Sequence, residues 1–297
     1  MIDYDKVLIK PIIFVGPGRS GSTIISEFVL SHNHLGWPDN YLEWMPSVAS
    51  TAWLTRLSQN RFWRLDGEKG QLNKTKFMNN YIPRPAEAWS FWQSITREDI
   101  DFSRGFLLHQ RASSSEKENI RETLAKRVSR QGKQRLAMKF TGPARAEYLH
   151  SIFPDALFVN VVRDPTATVN SLLNVPFWQA QGRHELWWHG AYSSAEQREF
   201  NSIKDDGIAS TAFQLSKVLE SNERELSKFG NQVLTVSYED FVANPRAVTN
   251  RILAFCQLPN CEVVDAKVHN CRVRDQNKNS EKLTSIREQV LRYCGSN

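Results

Sequence analysis

The chain has 297 residues, 40% of them apolar and nine of them tryptophan, and a formal net charge of +6. That is ample for one large core, and no glycine/serine linker divides it, so a single domain over residues 1–297 is the simplest organisation. There is no run of about eighteen apolar residues and no apolar leader, which argues against a membrane span and for a cytoplasmic protein. The four cysteines, Cys256, Cys261, Cys271 and Cys294, form no C-x-x-C pair and stand at no zinc-finger spacing from a histidine, which disfavours a metal site or a disulfide framework. The positive charge suits an anionic ligand as well as plain solubility, and nothing requires nucleic acid.

Residues 11–15 form a short β-branched and aromatic run suited to a buried strand, and Ile24, Ile25, Phe28 and Val29 then recur at helical spacing. Between them Gly16, Pro17, Gly18, Arg19, Ser20, Gly21, Ser22 and Thr23 make a strand-to-helix turn in which backbone N–H groups and a helix N-terminus converge on one anion. The spacing Gly16-x4-Gly21-Ser22-Thr23 is that of a phosphate-binding P-loop, but Ser22 holds the lysine position. A nucleoside triphosphatase needs that lysine on its β- and γ-phosphates. Here the fixed cation is Arg19.

The next segment, 31–46, is an aromatic loop with two histidines, His32 and His34, and two acids, Asp39 and Glu43. We expect it to lie over the phosphate loop. Residues 47–112 scatter Trp53, Phe62, Trp63, Trp89, Phe91 and Trp92 among basic residues and suggest a helical lid whose aromatics are core or stack on a substrate ring. Ser113 to Glu116 reads as a capping box opening a charged helix to about residue 130, ended by Gly132. Residues 135–140 form a second short strand. A helix over 144–153 follows, and then an unbroken apolar strand, 157–163, of the kind found at the centre of a parallel sheet. Asp164 and Pro165 supply an N-cap and a first-turn proline for the next helix. Beyond lie an aromatic stretch, 174–194, a long amphipathic helix, 208–229, another core strand, 232–237, and a basic, asparagine-rich segment, 272–282.

Four places match one family. The loop Gly16 to Thr23 with Arg19, the strand and turn from Phe153-Pro154 to Arg163-Asp164-Pro165, Ser171 eight residues after Arg163, and Tyr238-Glu239-Asp240-Phe241 ahead of Pro245 resemble the sulfotransferases that use 3′-phosphoadenosine 5′-phosphosulfate (PAPS). The resemblance runs from about residue 10 to about residue 290 and includes bacterial carbohydrate and tyrosylprotein-type relatives. It implies an α/β fold with a P-loop-like central parallel sheet flanked by helices, and helical and aromatic loop insertions forming the acceptor site.

By the same resemblance, residues 16–23 hold the 5′-phosphosulfate, Arg163 and Ser171 grip the 3′-phosphate, Tyr238 packs near the adenine and Lys278 folds back over the 3′-phosphate. Lys139 is the family's strand-end lysine facing the transferring group, and with Arg19 it would neutralise developing charge. Thr141 stands where the cytosolic members carry a catalytic histidine, so the base must come from elsewhere. In related members the loop corresponding to 31–46 carries a glutamate base; spacing from His32 points to Asp39 and residue type to Glu43. The implied reaction moves a sulfuryl group from PAPS to a hydroxyl acceptor, a carbohydrate being favoured, without a metal. An ATP-dependent kinase or NTPase is the rival enzyme, and a nucleotide- or glycan-binding module without turnover is the rival binder.

Overall fold

The computed structural model describes residues 4–60, 62–65, 81–270 and 280–295, so Lys278 lies outside the described residues. The chain runs β1 (Ile12–Val15), α1 (Ser22–Leu30), β2 (Leu35–Gly36), α2 (Asn40–Trp44) and α3 (Ala52–Ser58). Next come α4 (Trp89–Ile95), α5 (Ser114–Arg130), β3 (Arg135–Lys139), α6 (Ala146–Ile152), β4 (Leu157–Val162) and α7 (Pro165–Leu172). The last part holds α8 (Ser194–Ile203), α9 (Gly207–Leu226), β5 (Val233–Ser237), α10 (Tyr238–Ala243), α11 (Pro245–Phe255), α12 (Glu262–Asn270) and α13 (Ser280–Cys294).

The five strands form one parallel sheet in the order β2-β3-β1-β4-β5. Every residue of β1 is fully buried, and its side chains alternate between two cores. Ile13 and Val15 pack with Leu136, Met138 and Phe158 on one face; Ile12 and Phe14 pack with Ala137, Val159, Val161 and the α1 residues Ile25, Phe28 and Val29 on the other. Burial on both faces is why these strands read as continuous apolar runs.

Sequence order places β1 at the point where connections leave in opposite directions, toward β3 and β2 on one side and β4 and β5 on the other. At such a switch point the turns leaving adjacent strands part and open a crevice beyond their carboxyl ends. Register brings the exits together: Phe14 is opposite Lys139 and Val15 opposite Asn160, and Gly142 N–H donates to Gly16 O at 3.0 Å.

Three boundaries differ from the expected ones for local reasons. The helix expected over 144–153 starts at Ala146, because Arg145 is held in the left-handed region at φ 51° by its buried side chain. The helix expected over 208–229 spans Gly207–Leu226, opened by the Asp206 carboxylate on the Ile208 and Ala209 N–H groups and followed by a tighter turn broken at Gly230. Within the aromatic loop, Leu35 and Gly36 form an edge strand too short to leave a periodic signal. The capping box of Ser113 and Glu116 and the Asp164 cap are present as expected.

Candidate active site

The turn between β1 and α1 is shaped by two glycines that cannot be replaced without displacing backbone or ring atoms. A Cβ on Gly16, at φ 154°, would stand 2.3 Å from the Val161 carbonyl oxygen, so the loop lies directly on β4. A Cβ on Gly21, at φ 86°, would stand 2.3 Å from Cδ2 of Tyr238. Gly21 offers α1 no side-chain cap, which leaves the first N–H groups of that helix open to an anion. Within the turn the Ser20 hydroxyl is fully buried and has no hydrogen-bond partner among the described residues. Such a group costs about 1–3 kcal/mol unless a ligand or water meets it. Ser22, in the lysine position, is buried at the start of α1.

Arg19 occupies the left-handed region at φ 69°, a conformation that costs an L-residue roughly 1–2 kcal/mol. Two contacts hold it there. Its Nε donates to Ser171 Oγ at 3.0 Å, and Arg163 Nη1 donates to the Arg19 carbonyl at 2.9 Å. The Arg163 guanidinium also lies 4.6 Å from the centre of the Tyr238 ring. Burial lowers the Arg163 pKa from its ordinary value, with Tyr238 and Glu239 opposing the shift. Arg19, Arg163, Ser171 and Tyr238, from four separate segments, therefore form one cationic, aromatic-backed cluster beside the Gly16–Gly21 turn. Adjacent exits of β1 and β4 explain why distant sequence segments meet here.

The β3 exit closes the opposite side. Lys139 is buried, and its Nζ donates to Thr23 Oγ1 at 3.1 Å and lies 2.5 Å from Glu87 Oε1. Thr141 donates its hydroxyl to Glu87 Oε2 at 2.9 Å. Glu87 is thus the carboxylate beside the lysine that reaches the phosphate loop. Nothing in Pro83-Arg-Pro-Ala-Glu87 announced it, because the segment has no helix or strand period. It is positioned by backbone pairing with the aromatic loop: Ala86 N–H donates to Pro38 O at 2.9 Å and Asn40 N–H to Arg84 O at 3.1 Å.

Asp39 and Glu43 make other contacts. Asp39 is fully buried and caps α2, accepting from the Tyr41 and Leu42 N–H groups at 2.9 and 3.0 Å, from Arg127, and from Thr55 and Gln131 at 3.3 Å each. Its lone pairs are committed to the protein body. Glu43 is half-buried and accepts from the Ser90 hydroxyl at 2.8 Å, at the first turn of α4. His32 is equally committed: Nδ1 accepts from His34 N–H, so Nε2 donates to Pro259 O at 3.0 Å, and burial lowers its pKa from the usual value.

Beyond the β3 exit the crevice is walled by the aromatic stretch after α7. Trp188 closes over the β3 exit, its Nε1 2.6 Å from where a Cβ on Gly142 would lie. Arg104 stacks 4.3 Å from the Trp187 ring and donates to its carbonyl at 2.7 Å. Arg145, fully buried, donates to the carbonyls of Ser103, Pro143 and Gly105 at 2.9, 2.7 and 3.1 Å and so ties the 103–105 loop to the β3 exit. Burial pulls its pKa down to about 10 against the pull of Glu87, Glu225 and Asp101. The tryptophans of α4 behave differently: Trp92 is fully buried and stacked 4.3 Å from Phe102, a core role.

Comparison with known proteins agrees with this fold. In overall structure the chain is similar to a sulfotransferase from Mycobacterium avium (17% identity, 96% of this chain and 76% of that one, TM-score 0.55). It is also similar to a sulfotransferase from Mycobacterium tuberculosis (15% identity, 97% and 78%, TM-score 0.50). At these identities the likeness concerns the fold. No curated protein matches the sequence significantly. The family model of the sulfotransferase family matches residues 11–262. A match over most of the chain, on a parallel sheet that gathers the Gly16–Gly21 turn, Arg163 and Lys139 at one crevice, makes this protein a member of the sulfotransferase family.

Proposed function

We propose that the chain transfers a sulfuryl group from PAPS to a hydroxyl acceptor, with Glu87 as the base. The observation that carries this reading is the pairing of Glu87 with Lys139, whose ammonium also reaches Thr23 of the phosphate loop. A carboxylate and a cation then stand together where the acceptor hydroxyl meets the group being transferred. The residues fit the donor: the orphaned Ser20 hydroxyl, the uncapped α1 N-terminus and Arg19 suit its 5′-phosphosulfate, while Arg163 and Ser171 suit its 3′-phosphate and Tyr238 its base. The donor supplies an activated sulfuryl group whose bond to the bridging phosphate oxygen breaks as the acceptor oxygen bonds to sulfur.

Glu87 takes the acceptor proton, so the products are a sulfate ester and 3′-phosphoadenosine 5′-phosphate. Lys139 and Arg19 stabilise the charge that builds on the departing oxygen and the equatorial sulfuryl oxygens. Asp39 and Glu43, both occupied elsewhere, hold the loop in place. A carbohydrate remains the favoured acceptor, the half-buried Trp187 with Arg104 on its ring providing an aromatic and polar surface while Trp188 is buried in the wall. Isothermal calorimetry and transfer of labelled sulfate test the reading. 3′-Phosphoadenosine 5′-phosphate should bind at least about tenfold more tightly than 5′-AMP, and label should pass from PAPS to a hydroxyl acceptor in the presence of a chelator. Equal affinity for the two nucleotides, or chelator-sensitive phosphate release from ATP, would move the protein to the kinase or NTPase class.

A further inference from the structure

A second surface stands out on the flank beyond the edge strand β2. Helix α3 buries Ala52 and Thr55 and turns Trp53, Leu54, Arg56 and Leu57 outward. The chain then doubles back: Gln59 and Arg64 form an antiparallel bridge, and Leu65 N–H donates to Ser58 O at 2.7 Å. At the tip, Asn60 Oδ1 accepts from the Phe62 and Trp63 N–H groups at 2.8 and 3.3 Å, which projects both rings outward. Trp63 Nε1 donates to Leu57 O at 3.0 Å, and Arg56 lies 5.1 Å from the Trp53 ring, so helix and tip form one continuous face.

Of the thirteen large apolar side chains exposed among the described residues, six lie within 53–65, and Phe62 is 87% exposed. Single exposed apolar residues are ordinary, but a contiguous cluster marks an interaction surface. Among the described residues between Glu43 and Asp66 there are two arginines, Arg56, which is exposed, and Arg64, which is tied to Asn33 Oδ1 at 2.8 Å and Ser31 O at 2.7 Å, and no acid. The groove beside the tip is lined by Arg56, Arg64, Lys133, Asn33 and Phe62, with no acidic side chain among its described lining residues.

We propose that this face docks on an anionic lipid bilayer. Tryptophan and phenylalanine flanked by leucine and arginine form the composition that settles at a headgroup boundary, the rings and aliphatic chains entering and the guanidinium groups meeting phosphate. A glycan partner does not account for Leu54, Leu57 and Leu65, which offer nothing to sugar hydroxyls. A second copy meeting this face about a two-fold axis would set the same acid-free, basic patch against itself, a like-charge arrangement that opposes association. No helix of the described residues is long and apolar enough to cross a membrane, so the contact is with the surface.

Sedimentation with extruded vesicles decides the matter. The wild-type protein should pellet with vesicles of phosphatidylcholine and phosphatidylserine and be released by raised salt, while pure phosphatidylcholine vesicles retain much less. The double variant Phe62→Ser/Trp63→Ser, at exposed positions away from the nucleotide cluster, should partition at least about tenfold less. Its calorimetric affinity for 3′-phosphoadenosine 5′-phosphate should match the wild type, which establishes that it is folded. Failure of the wild type to bind the anionic vesicles, or unchanged binding by the double variant, overturns the proposal. So does a wild-type dimer in analytical ultracentrifugation that the double variant dissolves.

Discussion

Replacing Glu87 by glutamine removes one charge and almost no volume. The amide oxygen can still accept from Thr141, which donates at 2.9 Å in the wild type, and Lys139 keeps its 3.1 Å contact with Thr23. What disappears is the ability to take a proton and the ion pair at 2.5 Å. Loss of a positioned general base lowers kcat by roughly 10²–10⁴, about 3–5 kcal/mol in barrier height. The 3′-phosphate contacts proposed for Arg163 and Ser171 are untouched, so nucleotide affinity should change by less than about threefold. Because a buried lysine loses its partner, urea unfolding should accompany the kinetics; a cost of up to about 3–5 kcal/mol is the range for a broken buried pair, and the glutamine contact reduces it. The assay is label transfer from PAPS at saturating acceptor, alongside calorimetry with 3′-phosphoadenosine 5′-phosphate. Near-normal kcat in a folded Glu87→Gln protein, with Glu43→Gln inactive at unchanged stability, would refute the assignment and return the base to the aromatic loop.

Asp39→Asn should act on stability instead, since it leaves Arg127 buried without its counter-charge; we expect a loss of about 3 kcal/mol in urea unfolding, with kcat of the folded fraction largely retained. Arg163→Ala removes a charged donor worth roughly 1.5–3 kcal/mol and should weaken 3′-phosphoadenosine 5′-phosphate about ten- to a hundredfold in calorimetry while sparing 5′-AMP. Glu225 gives a pH dependence of stability. Burial raises its pKa from 4.5 to about 7, opposed by the hydrogen bond from Ala146 N–H, so the folded state binds more protons than the unfolded state between those values. Its contribution is therefore most favourable below about pH 4.5 and declines by about 3 kcal/mol as pH rises to 7. Unfolding of Glu225→Gln across that window should lack this decline.

The turns that carry the proposed nucleotide contacts were legible because they sit at fixed offsets from strand ends. The turn after β1 and the Arg-Asp-Pro turn after β4 each follow an apolar strand, and adjacent parallel strands must bring such turns together. Lys139 followed in the same way from the β3 exit. The partner of Lys139 was not legible, since Glu87 reaches it through backbone pairing of an irregular segment with the 38–40 loop, and no periodicity records that contact. Asp39 misled because a carboxylate before a short helix looks alike whether it faces solvent, substrate or a buried arginine. Of its five hydrogen-bond partners two, Arg127 on α5 and Gln131 just after it, lie some ninety residues away, and they appear only in the folded chain.

The buried guanidinium of Arg145 grips three main-chain oxygens, two of them in the 103–105 loop, and forms no hydrogen bond to a side chain of that loop. A clamp of that kind is indifferent to what the clamped residues carry. Arg145 itself therefore sets no requirement on the side chains at 103 and 104, although Arg104 also binds Trp187 through its own, whereas Gly105 can gain none, because a Cβ there would lie 2.6 Å from the Asp101 carbonyl oxygen. Evolution or an engineer can then rewrite the surface proposed to face the acceptor with the reacting groups left in register, and a retargeting library belongs at 103 and 104 and along the tryptophan stretch docked against them. Arg145 and Gly105 are the positions such a library must leave alone.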